Sequence, residues 1–122
     1  MTENLRPRWV ARMKKCFSPL LDELIFGIEC GSGWDDLVQE LITEIYKLGQ
    51  KEGLDCRIVQ IKEKYGELRC YMDGGTDEMY ALIEDFTAHS KTVCEVCGGP
   101  GKWGSSESGW YRTICDHCKV QL

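Results

Sequence analysis

Two Cys-x-x-Cys pairs, Cys94-Glu-Val-Cys97 and Cys115-Asp-His-Cys118, stand seventeen residues apart near the end of the chain. That spacing is the signature of a four-cysteine zinc site. Each Cys-x-x-Cys turn aims two sulfurs at one point, and zinc takes four thiolates in a tetrahedron. Gly98 and Gly99 follow the first pair, where a tight knuckle needs residues without clashing side chains. Two disulfides or four free thiols are the competing readings. The expected ligands of a structural Zn2+ are Cys94, Cys97, Cys115 and Cys118. Between the pairs, Gly98–Ser108 has the composition of a flexible loop, and Trp110-Tyr111-Arg112-Thr113-Ile114 has strand character. Two short strands flanking two cysteine knuckles make a zinc ribbon.

Ahead of this segment, periodicity predicts an α+β body of about three helices on a small antiparallel sheet. Leu5, Trp9, Met13 and Cys16 or Phe17 recur at helical intervals over 5–17, with Arg6, Arg8, Arg12, Lys14 and Lys15 on the remaining faces. Leu20, Leu21, Leu24 and Ile25 suggest a helical turn, and a short strand is expected around 25–30, where Phe26, Ile28 and Cys30 alternate with Gly27 and Glu29. Trp34, Leu37, Val38, Leu41, Ile42, Ile45 and Tyr46 form an apolar stripe on a helix over 33–48. Ser32 is its expected N-cap and Gly49 its expected stop. Asp35, Asp36, Glu40 and Glu44 make its opposite face acidic, which reads first as a solvated surface.

Residues 55–73 read as a β-hairpin turning at Tyr65-Gly66, which pairs Ile61 with Cys70 and Val59 with Met72. Lys62 then faces Arg69, a mildly unfavourable pair that suggests a longer turn. Thr76 is placed to cap a helix over 77–90 with Met79, Tyr80, Ile83 and Phe86 buried. The expected division is a body over 1–91, with a basic N-terminal helix, and a ribbon over 92–122.

Charge bears on the partner. Residues 1–15 carry a net +4, residues 16–91 a net −9, and residues 92–122 three charges of each sign, within a total of −5. An acidic body argues against nucleic acid as the main partner, because that binding runs on Lys and Arg meeting phosphate. A partner protein is the favoured expectation. Its candidate anchors are Trp103, Trp110, Tyr111 and Arg112 on the ribbon, or the acidic Asp36, Glu40 and Glu44. The alternative is nucleic-acid binding through the ribbon and the basic N-terminal helix.

Four cysteines close a zinc shell and leave no position for a reacting water. His89 and His117 are the only histidines, and no nucleophile–base pattern accompanies them. A non-enzymatic role is therefore expected. No apolar run approaches the roughly eighteen residues that a membrane-crossing helix needs. The opening residues lack the apolar core of a signal peptide, so a cytoplasmic location is expected. In that reducing setting Cys16, Cys30, Cys56 and Cys70 read as small core residues.

Three blocks carry a resemblance: Gly33-Trp34, Gln60-Ile-Lys-Glu-Lys-Tyr-Gly-Glu-Leu-Arg69, and Thr92-Val-Cys-Glu-Val-Cys-Gly-Gly-Pro-Gly101 with Gly109-Trp-Tyr-Arg-Thr-Ile-Cys115. Over residues 26–118 the chain resembles a family of small phage and bacterial proteins with a C-terminal four-cysteine zinc ribbon. That family brings no established activity. Its phage association implies a modulator or inhibitor of a host defence protein, acting in the cytoplasm of a bacterial host cell. Relatives place a His near the last ligand position, where this chain has His117 beside Cys118.

Overall fold

The computed structural model describes residues 5–106 and 108–120. Residues 1–4, Glu107 of the long loop and the last two residues lie outside the described residues. The chain is α+β. Helix α1 (Arg6–Cys16) leads to strand β1 (Ile28–Glu29), a single 3-10 turn (Ser32–Trp34) and the long helix α2 (Asp35–Glu52). Strands β2 (Arg57–Lys64) and β3 (Glu67–Asp73) form the hairpin, and helix α3 (Asp77–Ser90) follows. The ribbon comprises β4 (Lys102–Ser105), β5 (Tyr111–Ile114) and a short helix α4 (Asp116–Val120). Among the described residues there are thus four helices rather than three. The extra one carries Cys118.

The body sheet has the order β1-β2-β3, with β2 and β3 antiparallel and β1 parallel to β2. The sheet is therefore mixed where an antiparallel one was expected. The predicted turn is found at two residues: Tyr65 and Gly66 have φ of 53° and 79°. Positive φ at both central positions suits a tight hairpin whose twist matches its strands. Lys62 does face Arg69, but Arg69 Nε lies 2.8 Å from Glu67 Oε2, which offsets the repulsion.

The register departs from expectation at one point. Ile61 pairs with Cys70 as predicted, but Met72 pairs with Ile58, and a bulge falls between Ile58 and Gln60. A bulge inserts one unpaired residue. Here that residue is Val59, so Ile58 and Ile61 both face the core and are fully buried. The Ile58 N–H also donates to the Leu20 carbonyl at 2.9 Å, tying the bulge to the segment below it.

That core gathers Trp9 and Met13 of α1, Leu20, Leu21 and Leu24, the α2 stripe from Trp34 to Ile45, Ile58, Ile61 and Leu68 of the hairpin, and Met79 and Ile83 of α3. Several expectations are corrected here. Ile25 and Phe26 are 82% and 75% exposed in a loop rather than on a strand. Tyr80 is exposed and Phe86 only half-buried. Cys16 is exposed rather than a core residue. Helix α2 passes through Gly49 to Glu52 and stops at Gly53, whose φ is 65°. Gly49 is buried within the helix, and a Cβ there would lie at ordinary contact distance from Cys56 and Met79. Ser32 opens the 3-10 turn without capping α2 through its side chain. Thr76 does cap α3, accepting from the Met79 N–H at 3.2 Å.

No helix among the described residues is long and apolar enough to cross a membrane.

Candidate metal centre

The first knuckle is built by short-range hydrogen bonds. The Gly98 N–H donates to the Cys94 carbonyl at 2.9 Å, and the Cys94 N–H donates to the Gly99 carbonyl at 2.7 Å. Gly98 takes a φ of 83°, which glycine adopts without strain. The second knuckle forms where β5 runs into α4, and the Cys118 N–H points at the Cys115 sulfur at 3.3 Å. The Gly99 N–H points at the Cys97 sulfur at 3.4 Å.

These knuckles bring the four predicted sulfurs together. All lie within 4.8 Å of one another, and none is in a disulfide. Cys97 Sγ and Cys115 Sγ are 3.8 Å apart. A tetrahedral ion with metal–sulfur bonds of about 2.3 Å sets its sulfurs about 3.8 Å apart. The four cysteines thus fit a single tetrahedral metal ion. His117 is exposed and is not among the clustered donors.

The thiols of the cluster are not electrostatically equivalent. Burial works against the Cys94 thiolate, yet the backbone N–H groups of Cys97, Cys115 and Val96 bring its pKa down to about 6. Cys118 goes the other way, to about 12: its hydrogen bond with the Cys115 sulfur and its burial both favour the thiol. Four thiolates this close repel one another, and a dication removes that conflict while displacing the protons. The remaining core thiols differ. Burial pushes Cys70 and Cys30 up to about 12, and Cys56 upward too.

The centre is seated on the body rather than tethered to it. The Gly33 N–H donates to the Glu95 carbonyl at 2.7 Å, and the Gly31 N–H to Glu95 Oε2 at 2.7 Å. Burial raises the Glu95 pKa, against the pull of that Gly31 hydrogen bond. A side chain at Gly33 would run into the Cys94 carbonyl and sit 2.5 Å from the Glu95 carbonyl carbon. On the ribbon's other side, the buried Thr113 hydroxyl donates to the Gly66 carbonyl at 2.6 Å. A Cβ on Gly66 would lie 2.9 Å from the Arg112 Cα. Two glycines of the body thus admit the ribbon backbone at close range.

The predicted partner residues are divided by this docking. Trp103 lies on a strand, not in a flexible loop. Its Nε1 donates to the Tyr65 carbonyl at 2.8 Å, its ring stacks on Tyr111 at 5.0 Å, and Lys91 sits over it at 4.6 Å. It packs against the hairpin turn. Trp110 is 68% exposed, beside the half-buried Arg112. Asp36 and Glu40 line a shallow groove with His89 and Cys97, whereas Glu44 is half-buried, 3.5 Å from Lys47. Asp35 leaves the acidic face: it is ion-paired with Arg6, whose guanidinium also donates to the Cys30 carbonyl at 2.7 Å. Sequence reasoning overlooked Lys102, Lys119 and Tyr65 at this end of the molecule. Strand alternation through β4 would have placed Lys102 on the face of Arg112.

Comparison with protein-family models, curated proteins and solved structures finds no match to this chain.

Proposed function

We propose that the chain is a non-enzymatic, zinc-holding recognition module whose partner is a protein. Zinc follows from the donor set: four thiolates at tetrahedral separation suit Zn2+ and close its shell. A closed shell holds the ribbon in shape and offers no water for catalysis.

The observation that carries the reading is the aromatic surface at the ribbon end. Tyr65, Trp103, Trp110 and Tyr111 are all exposed there, on elements fixed to the body. Tyr, Trp and Arg are the residues that anchor protein interfaces. The family resemblance makes the partner a host protein in the bacterial cytoplasm, with the chain as its inhibitor or modulator.

Nucleic acid is the second reading. It is favoured by Lys64, Lys91, Lys102, Arg112 and Lys119, which lie at the same end. The basic N-terminal helix adds less, because Arg6 is committed to Asp35 and to backbone carbonyls.

Capture from bacterial lysate tests the choice, using the zinc-loaded chain and its Trp110→Ala variant, with and without nuclease. A protein that survives nuclease and is lost with the variant supports the first reading. Recovery of nucleic acid alone supports the second.

A further inference from the structure

The ribbon has two faces, and strand alternation sorts its residues between them. Trp103 and Thr113 pair across the strands and look onto the hairpin, where both donate to backbone carbonyls. Lys102 pairs with Ile114 and Gly104 with Arg112, so these four take the outward face. Trp110 continues that alternation. An open groove of about 380 Å3 runs along the ribbon, lined by Lys102, Trp110, Arg112 and Ile114 of this face, with Trp103 also bordering it and Asp116 and Lys119 supplied by α4.

Charge is sorted as well. Lys102, Arg112 and Lys119 are all the basic residues of the segment 92–122, and all three line the groove. Among the described residues, Asp116 is the one acid that lines it. A segment that is neutral in sequence is therefore cationic on one face.

We propose that this groove seats an acidic, extended peptide segment of the partner. Its carboxylates meet Lys102, Arg112 and Lys119, and an apolar side chain rests on Trp110 and Ile114. The inference rests on the protein-partner reading and names the element recognised. Charge complementarity carries it, and the groove is large enough for a few side chains. The aromatic geometry separates it from a nucleic-acid track. Single strands bind by stacking successive bases on open ring faces. Here Trp103 is stacked on Tyr111 and lies under Lys91, and Tyr65 meets Tyr111 edge-on at 6.5 Å. These rings are engaged with one another, which leaves Trp110 as the open indole.

Fluorescence anisotropy with the zinc-loaded full chain tests this. Three labelled probes of equal length are compared: a Glu/Asp-rich peptide with one central Phe, the same peptide with Lys for each acid, and oligothymidylate. The acidic peptide is expected to bind, and to weaken as salt rises. Trp110→Ala and Lys119→Glu should each lower its affinity about fivefold or more with the melting temperature unchanged, while Lys15→Glu on α1 has no effect. Tighter binding of oligothymidylate would overturn the proposal in favour of nucleic acid. Tighter binding of the Lys peptide, binding of no probe, or acidic-peptide binding indifferent to both groove variants would overturn the groove as the site. A nuclease-resistant protein captured from lysate would then still support the protein-partner reading through another surface.

Discussion

The indole Nε1 of Trp34 donates to the Val93 carbonyl across 2.8 Å. Trp34 is fully buried at the start of α2, and Val93 immediately precedes Cys94, the first of the four clustered cysteines. The core of the body and the cysteine knuckle are thus one hydrogen bond and one residue apart. This junction makes the ribbon part of the fold while leaving the main apolar core independent of it.

Chelation should therefore have two separable effects. The core cluster is drawn from residues before the ribbon, with Val93 packed at its margin. Far-UV circular dichroism should keep most of its helical signal when metal is removed. Near-UV signal and tryptophan emission should change, because Trp34 loses its carbonyl partner. Loss of most helical signal would mean that the ion holds the whole domain together.

Gly33→Ala should destabilise the protein by about 2–3 kcal/mol, because its methyl must displace backbone at Cys94 and Glu95. It should also weaken zinc binding. Gly104→Ala, where a Cβ meets nothing within 4 Å, should stay within about 0.5 kcal/mol of the parent. Thermal melting with and without zinc checks both.

Thr113→Val keeps shape but leaves the buried Gly66 carbonyl without its hydroxyl donor. A loss of about 1–3 kcal/mol is expected. Thr113→Ser, which retains the donor, should recover most of it. Equal melting temperatures for Val and Ser would show that the contact contributes nothing.

The thiols should react in three tiers. Zinc-loaded protein should be alkylated rapidly at Cys16 alone, the exposed cysteine outside the cluster. Chelated protein should add Cys94, Cys97, Cys115 and Cys118. Cys30, Cys56 and Cys70 should react only on unfolding, since burial holds their thiols protonated. Mass spectrometry of alkylated peptides reads the tiers directly, and rapid labelling of Cys97 in zinc-loaded protein would argue against its ligation.

Much of this was legible in residue spacing. The cysteine pairs, the α2 stripe, the Thr76 cap and the turn at Tyr65-Gly66 are local signals, and each is found where its local chemistry put it. What local patterns could not carry was tertiary. The Val59 bulge answers to the packing of Ile58 and Ile61 together. Helix α2 runs through Gly49, buried against the body, and stops instead at Gly53, whose φ is positive. Asp35 reads as one more surface acid until Arg6, 29 residues away, is seen beside it. Gly66 reads as a turn residue and Gly33 as the opening of a helix, yet both also admit the ribbon backbone. The cationic groove was hidden because Lys102 and Lys119 lie seventeen positions apart and come to line one groove only in the folded ribbon.

The thiolate centre is tested most directly by X-ray absorption at the zinc edge, on protein purified without chelator. The expected result is one zinc per chain with four sulfur neighbours at about 2.3 Å. A shell containing nitrogen or oxygen, or metal-free protein with Cys94, Cys97, Cys115 and Cys118 joined in disulfides, would contradict it.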